Sequence, residues 1–166
     1  MDLTARILIA IVACMLIMTG CQRAAKQEIV VSGEVIRRTD SKNENIRRIK
    51  ITDEVTSIEE GYFLRYSALE HIDVAEENDY FKSIDGVLYT KDGSAVVAYP
   101  IGRAETEYII PEQCVAIYSY AFAGSNLENV TLSENMYEIG YAAFERCDRL
   151  QEIHIPKGVY YIAPGA

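Results

Sequence analysis

"YAAFERCDRLQEIHIP" (Tyr141–Pro156) and "YAFAGSNLENVTLS" (Tyr120–Ser133) are imperfect copies of one text, and their alignment decides the fold. Units begin where an apolar-x-apolar triplet ends, at Ile51, Ile110, Leu132 and Ile155. Four residues on stand Val55, Cys114, Met136 and Val159, and seven on stand Ile58, Ile117, Ile139 and Ile162. Tyr62-Phe63, Ala121-Phe122 and Ala143-Phe144 follow, and then Leu69, Leu127 and Leu150. The units close on Ile72-Asp73-Val74, Val130-Thr131-Leu132 and Ile153-His154-Ile155. The period is about 23 residues, a spacing proper to stacked repeats. A single deletion around Gly124-Ser125-Asn126 shortens the second unit.

A unit this short, with one short strand, cannot bury its apolar side alone, so it must stack on a copy of itself. Side chains alternate along a strand, so the outer residues of each triplet face the core and the middle one faces outward. Lys50, Asp73, Ile109, Thr131 and His154 are therefore expected in one outward row across a parallel sheet. Phe63, Phe122 and Phe144 are expected to stack as a ladder inside the coil.

"IPEQCVAIYSYAFAGSNLENVTL", "LSENMYEIGYAAFERCDRLQEIHIP" and "IPKGVYYIAPGA" together resemble the BspA-type leucine-rich repeats of bacterial surface proteins, whose unit reads roughly Ile-Pro-x-x-Val-x-x-Ile-Gly-x-x-Ala-Phe-x-x-Cys-x-x-Leu-x-x-Ile. Cys147 fills the family's Cys column and Ala143-Phe144 its Ala-Phe. The resemblance implies a mainly β fold, a short leucine-rich repeat solenoid, over residues 46–166. In the first unit Tyr62 replaces Ala, Tyr66 replaces Cys and Thr52 replaces Pro, so that unit is expected to act as an N-terminal cap. The resemblance also implies attachment to proteins of a host or neighbouring cell, without naming a ligand; a repeat motif specifies fold far better than function.

Between the first two units lies an insertion, residues 75–107. Its "SIDGVLYTKDGSAVVAYP" reads as a β-hairpin: Val87 to Thr90, a turn at Lys91-Asp92-Gly93-Ser94, then Ala95 to Tyr99, stopped by Pro100. Asp85-Gly86 and Asp92-Gly93 suit turn chemistry; the alternating acids of a calcium-binding EF-hand loop are missing. The last unit stops at "IAPGA", short of its own Phe, which leaves open a truncated chain or association through the last coil.

The chain opens with "MDLTARILIAIVACMLIMTGC", in which a single Arg6 precedes an apolar run from Ile7 to Met18. The run is short for a membrane span of about 20 residues and suits an export signal. Met18-Thr19-Gly20-Cys21 resembles the bacterial lipobox, with Cys21 the lipidated first residue after cleavage. Residues 1–20 are accordingly read as a lipoprotein signal peptide and residues 21–45, polar and charged, as a tether with room for one short strand. The domain is expected outside the cytoplasmic membrane, lipid-anchored to the cell envelope through Cys21.

Of the four cysteines, Cys114 and Cys147 remain for the folded part. Export permits a disulfide between them, but each falls in an apolar column and two free thiols fit the repeat better. A formal charge of −9 argues against nucleic-acid partners, which are held by basic residues displacing counterions. His71 and His154, the only histidines, stand in no catalytic motif, and no cysteine–histidine cluster suggests a metal; neither catalysis nor a cofactor is expected. The reading is a non-catalytic binding or adhesion module whose partner is a protein or glycan at another cell's surface. The five outward strand residues would form its face, with Tyr118, Tyr120, Tyr137, Tyr141, Tyr160 and Tyr161 on neighbouring turns. The alternative is a repeat unit that spaces or assembles with a larger surface protein.

Overall fold

The computed structural model describes residues 27–37 and 43–166. Apart from one 3-10 helix, Tyr62–Arg65, its regular elements are short strands: β1 Glu28–Val31, β2 Val35–Ile36, β3 Arg48–Ile51, β4 Ser57–Ile58, β5 His71–Val74, β6 Phe81–Ile84, β7 Val87–Thr90, β8 Ala95–Ala98, β9 Glu107–Ile109, β10 Ala116–Ile117, β11 Asn129–Thr131, β12 Glu138–Ile139, β13 Glu152–Ile153 and β14 Tyr161–Ile162. The repeat period is visible in the pairing. Ile49 lies opposite Ile72 and Asn129 opposite Glu152, each a full period on. Ile117 lies opposite Ile139, a step shorter, as the deletion in that unit requires. Each coil carries two strands, one for each side of a parallel solenoid, as the alternating triplets require.

The sides are not continuous. One carries two separate parallel sheets, β1-β3-β5 and β9-β11-β13; the other carries β2-β4 and a six-stranded sheet in the order β14-β12-β10-β8-β7-β6. The break is made by the insertion. It is not a two-stranded hairpin but an antiparallel meander of β6, β7 and β8, the sequence reading having missed β6. Asp85 and Gly86, both at positive φ, form the two-residue turn between β6 and β7, which Asp-Gly favours because both central residues must be left-handed. The third strand, β8, pairs in parallel with β10, Ala95 opposite Ala116 and Val96 opposite Ile117. The insertion therefore ends as half a coil.

The core divides in the same place. Val87, Tyr89, Val96 and Tyr99 pack with the later coils around Ile117, Phe122, Leu127 and Met136. Leu88, Ala98 and Phe81 pack with the earlier ones around Ile49, Phe63, Leu69 and Ile72. Val87, Leu88 and Tyr89 are each 0% exposed, so β7 is buried on both faces and separates the two cores. The phenylalanine ladder is altered accordingly. Phe122 and Phe144 stack at 5.1 Å and 10°, but the next rung is Tyr99, 5.4 Å from Phe122. Phe63 instead meets Tyr62 edge-on in the earlier core.

Two boundaries differ from expectation. Residues 28–36, assigned to the tether, form β1 and β2, which pair in parallel with β3 and β4. The unit starting at Ile51 is therefore covered by an upstream coil and does not cap the solenoid; its departures at Tyr62 and Tyr66 build a local cluster, with the two hydroxyls 3.1 Å apart. The internal 23-residue alignment does not show this coil, because the step from Glu28 to its partner Arg48 is shorter than the period of the other units. The signal-peptide and lipidation readings, residues 1–20 and Cys21, lie outside the described residues.

Turns are closed by buried polar groups. Asn78, 0% exposed, donates from Nδ2 to the carbonyls of Thr52 and Val55, each at 2.8 Å, and its Oδ1 accepts from the amides of Tyr80 and Phe81. Gly140 lies so close to the preceding coil that a Cβ would sit 2.6 Å from the amide nitrogen of Ser119. Asn78→Ala leaves four backbone groups without this partner and is expected to lower stability by about 3 kcal/mol. Urea unfolding of the two proteins checks this, and Gly140→Ala should also unfold at lower urea than wild type.

Candidate binding surface

The five outward residues stand on two surfaces. Lys50 pairs with Asp73 in register on β3 and β5, and Val30, 63% exposed, extends that row on β1. Ile109 pairs with Thr131 on β9 and β11, and His154 follows the end of β13. The meander stands between the two groups, so the single row expected from the triplets is two. The alternation is clear where Ile49 and Ile51 are buried around exposed Lys50, and Val130 and Leu132 around exposed Thr131, but in the last triplet Ile155, expected to face the core, is 41% exposed alongside His154.

The earlier surface is closed on itself. Lys50 Nζ lies 3.0 Å from Glu28, Arg48 donates to Asp73 at 2.7 Å, and His71 Nε2 lies 3.0 Å from the other Asp73 oxygen. Arg47 and Glu70 are also paired. These bridges are individually weak, being half exposed, but they give each of these charges a neighbour of opposite sign. The His71 ring in turn closes over Gly86, where a Cβ would fall 2.4 Å from Nδ1.

The later surface is open. Glu107, Asn129 and Glu152 form one outward column, and Ile109, Thr131 and His154 the next. All six are exposed, Ile109 to 73%. Among the described residues none of these six side chains makes a hydrogen bond or ion pair. An aliphatic side chain held out on the edge strand β9 beside polar columns offers a docking surface apolar contact with polar groups around it.

The tyrosines divide as well. Tyr137 and Tyr160 are exposed and stack on each other at 5.4 Å and 10°. Tyr118 and Tyr141 are about half exposed. Tyr120 packs edge-on against Tyr141 at 5.5 Å. Tyr161, also exposed, lies on β14. Sequence reasoning did not distinguish Tyr89, Tyr99 and Tyr108 from these. Tyr89 is buried with its hydroxyl on that of Tyr108, and burial raises the pKa of both phenols.

Arg103 is the best-held cation. Its side chain is 10% exposed, bridges Asp85 and Glu105, and lies over the Tyr99 ring. Burial works against its charge, but these partners outweigh it and hold its pKa above the ordinary value. Asp92 has the opposite role in the next turn. The amide and hydroxyl of Ser94 and the hydroxyl of Thr90 all donate to its carboxylate, lowering its pKa to about 2.

Cys114 and Cys147 are free thiols. Cys114 is buried and donates to the Gly93 carbonyl at 3.2 Å; burial raises its pKa to about 11. Cys147 is only half-buried, outside the wholly buried slot expected of it, with Sγ 3.2 Å from the Phe122 carbonyl. Since the thiolate is the reactive form, Cys114 stays protonated until the pH nears that raised value. Iodoacetamide applied to the native chain at mildly alkaline pH is expected to modify Cys147 well before Cys114, as read by peptide mass mapping; equal rates would contradict the burial described.

These features define a short parallel β-solenoid of stacked leucine-rich repeats with one self-paired and one open strand face. The chain belongs to the family described as BspA type leucine rich repeat region, whose profile matches residues 20–85 and 104–166 in six copies. The unmatched interval is most of the meander. The fold is similar to that of a leucine-rich repeat protein from Eubacterium ventriosum, at 29% identity and a TM-score of 0.76, over 82% of this chain and 37% of that one. It is also similar to the pneumococcal vaccine antigen PcpA, at 26% identity and 0.66, over 80% of this chain and 39% of that one. A leucine rich cell surface protein from Faecalibacterium prausnitzii shares the fold at 21% identity and 0.62, over 80% and 42% of the respective chains. The chain thus spans about two-fifths of the length of these solved relatives. No curated protein matches it.

Proposed function

We propose that the chain is a non-catalytic binding or adhesion module of a bacterial cell surface, lipid-anchored through Cys21 and engaging proteins of a host or neighbouring cell with its later strand face. The observation that carries this reading is the contrast between two strand faces of one solenoid. On β1-β3-β5 the outward charges are matched within the chain. On β9-β11-β13 the corresponding positions hold Ile109 in solvent between polar side chains that, among the described residues, have no partner. The kinship with cell-surface and antigen proteins supports the location, and the repeat family supports the absence of catalysis. Of the five strand residues, Ile109, Thr131 and His154 belong to this face; Lys50 and Asp73 hold the other together.

Surface location has a direct test. Cells supplied with a labelled fatty acid are expected to label the wild-type chain, and Cys21→Ser should abolish both the label and retention in the membrane fraction. Label retained by Cys21→Ser would exclude that anchor.

Binding is tested by arraying extracellular-matrix and bacterial surface proteins against three forms of the purified full chain. Ile109→Ser with Thr131→Ala is expected to weaken capture at least about tenfold, the effect of losing one central contact. Lys50→Gln with Asp73→Asn should leave capture unchanged. Thermal melting should show both variants folded, because all four side chains lie outside the core. Loss of capture only in the Lys50/Asp73 variant, or no capture by wild type, would overturn the assignment.

A further inference from the structure

The open face also carries a sign. Residues 103–166 contain nine Asp and Glu against four Lys and Arg, a net −5 of the chain's −9. Of the four cations, Arg103 is paired with Asp85 and Glu105, Arg149 is paired with Glu128, and Arg146 and Lys157 lie off the strands. Glu107 and Glu152 remain on the sheet, two strands apart in one column with Asn129 between them. Strands lie about 4.8 Å apart, so the two carboxylates are separated by little more than one Debye length at physiological salt, about 8 Å. Both can act on one incoming group of charges.

On this sheet Ile109 is the exposed aliphatic side chain; Val115, Tyr118 and Tyr137 flank β10 and β12 on the other side of the solenoid. Exposure of Ile162 in the last strand has a different origin, since that side chain would be covered by any coil stacked on it. Glu152 and His154 point away from the sheet rather than along the stack, so stacking would not hide them. Carboxylates beside an exposed aliphatic side chain suit arginine and lysine: ion pairing at the head and apolar contact along the stem.

We infer that the partner of the β9-β11-β13 face is a basic protein segment, whose lysine or arginine side chains seat on Glu107 and Glu152 while an apolar side chain covers Ile109. This rests on the assignment of that face as the binding surface. It goes further in naming the partner's chemistry, and it gives the earlier face's charge pairing a role: a basic segment finds no unmatched carboxylate there.

The test uses the full chain with poly-L-lysine and poly-L-glutamate of matched length, titrated at several salt concentrations. Wild type is expected to bind the lysine polymer, more weakly as salt rises, and not the glutamate polymer. Glu107→Gln with Glu152→Gln should weaken lysine-polymer binding about fivefold, the effect of two exposed ion pairs. Glu34→Gln with Glu54→Gln makes the same change in net charge elsewhere and should weaken it less than about twofold. Equal losses in both variants would mean that overall charge does the binding, and the inference falls. It falls equally if wild type does not prefer the lysine polymer. In either case the binding face stands or falls separately, on capture of surface proteins by the Ile109/Thr131 variant, which changes no charge.

Discussion

The structure depends on the double burial of β7. Val87 and Tyr89 enter the later core while Leu88 between them enters the earlier one, so a single strand supplies apolar surface to both. A strand buried on both faces has no tolerance for a polar residue at either parity, and its sequence, Val-Leu-Tyr, shows no alternation of polarity. Fully burying three side chains of this size contributes roughly 1.5–3 kcal/mol each. Without this strand the earlier coils and the later ones would each expose one side of their core where the sheets are interrupted. Everything else about the two faces follows from their meeting at this septum.

The meander continues the solenoid without obeying its text. It places β8 where a coil strand belongs, in register with β10, and Tyr99 where a ladder phenylalanine belongs. The backbone agrees: the amide of Tyr99 donates to the Ala121 carbonyl at 2.7 Å, as the amide of Phe122 does to that of Ala143. Stacking needs an aromatic ring at that height and a strand at that edge. It does not need the sequence around them to repeat. Arg103 secures the return, bridging the first turn of the meander at Asp85 to Glu105 at its exit.

This separates what could be read from the residues from what could not. Repeats with a constant period were legible because each coil meets its neighbour through the same columns, and a column is a sequence property. The pairing of Ile117 with Ile139 and of Asn129 with Glu152 follows from alignment alone. The upstream coil was lost because the shorter step from Glu28 to Arg48 puts its columns out of phase, and β6 because Phe81-Lys82-Ser83-Ile84 carries little apolar signal. For the candidate surface, direction was legible and continuity was not. Alternation correctly sent Lys50, Asp73, Ile109, Thr131 and His154 outward, but a row requires unbroken neighbours, and the break is made by a segment with its own hydrogen-bonding pattern.

The same break explains how one repeat can make two kinds of surface. In an uninterrupted solenoid, outward columns run the whole length, and a charge in one coil is felt in the next. Here the sheets are separate, and Arg48 and Lys50 are matched by Glu28 and Asp73 within their own sheet. Glu107 and Glu152 have no ion-pair partner among the described residues, whereas Arg47, Arg48 and Lys50 are each paired on the earlier face. The interposed meander keeps the two sheets from sharing one row, and on that separation the distinct character of the later face depends.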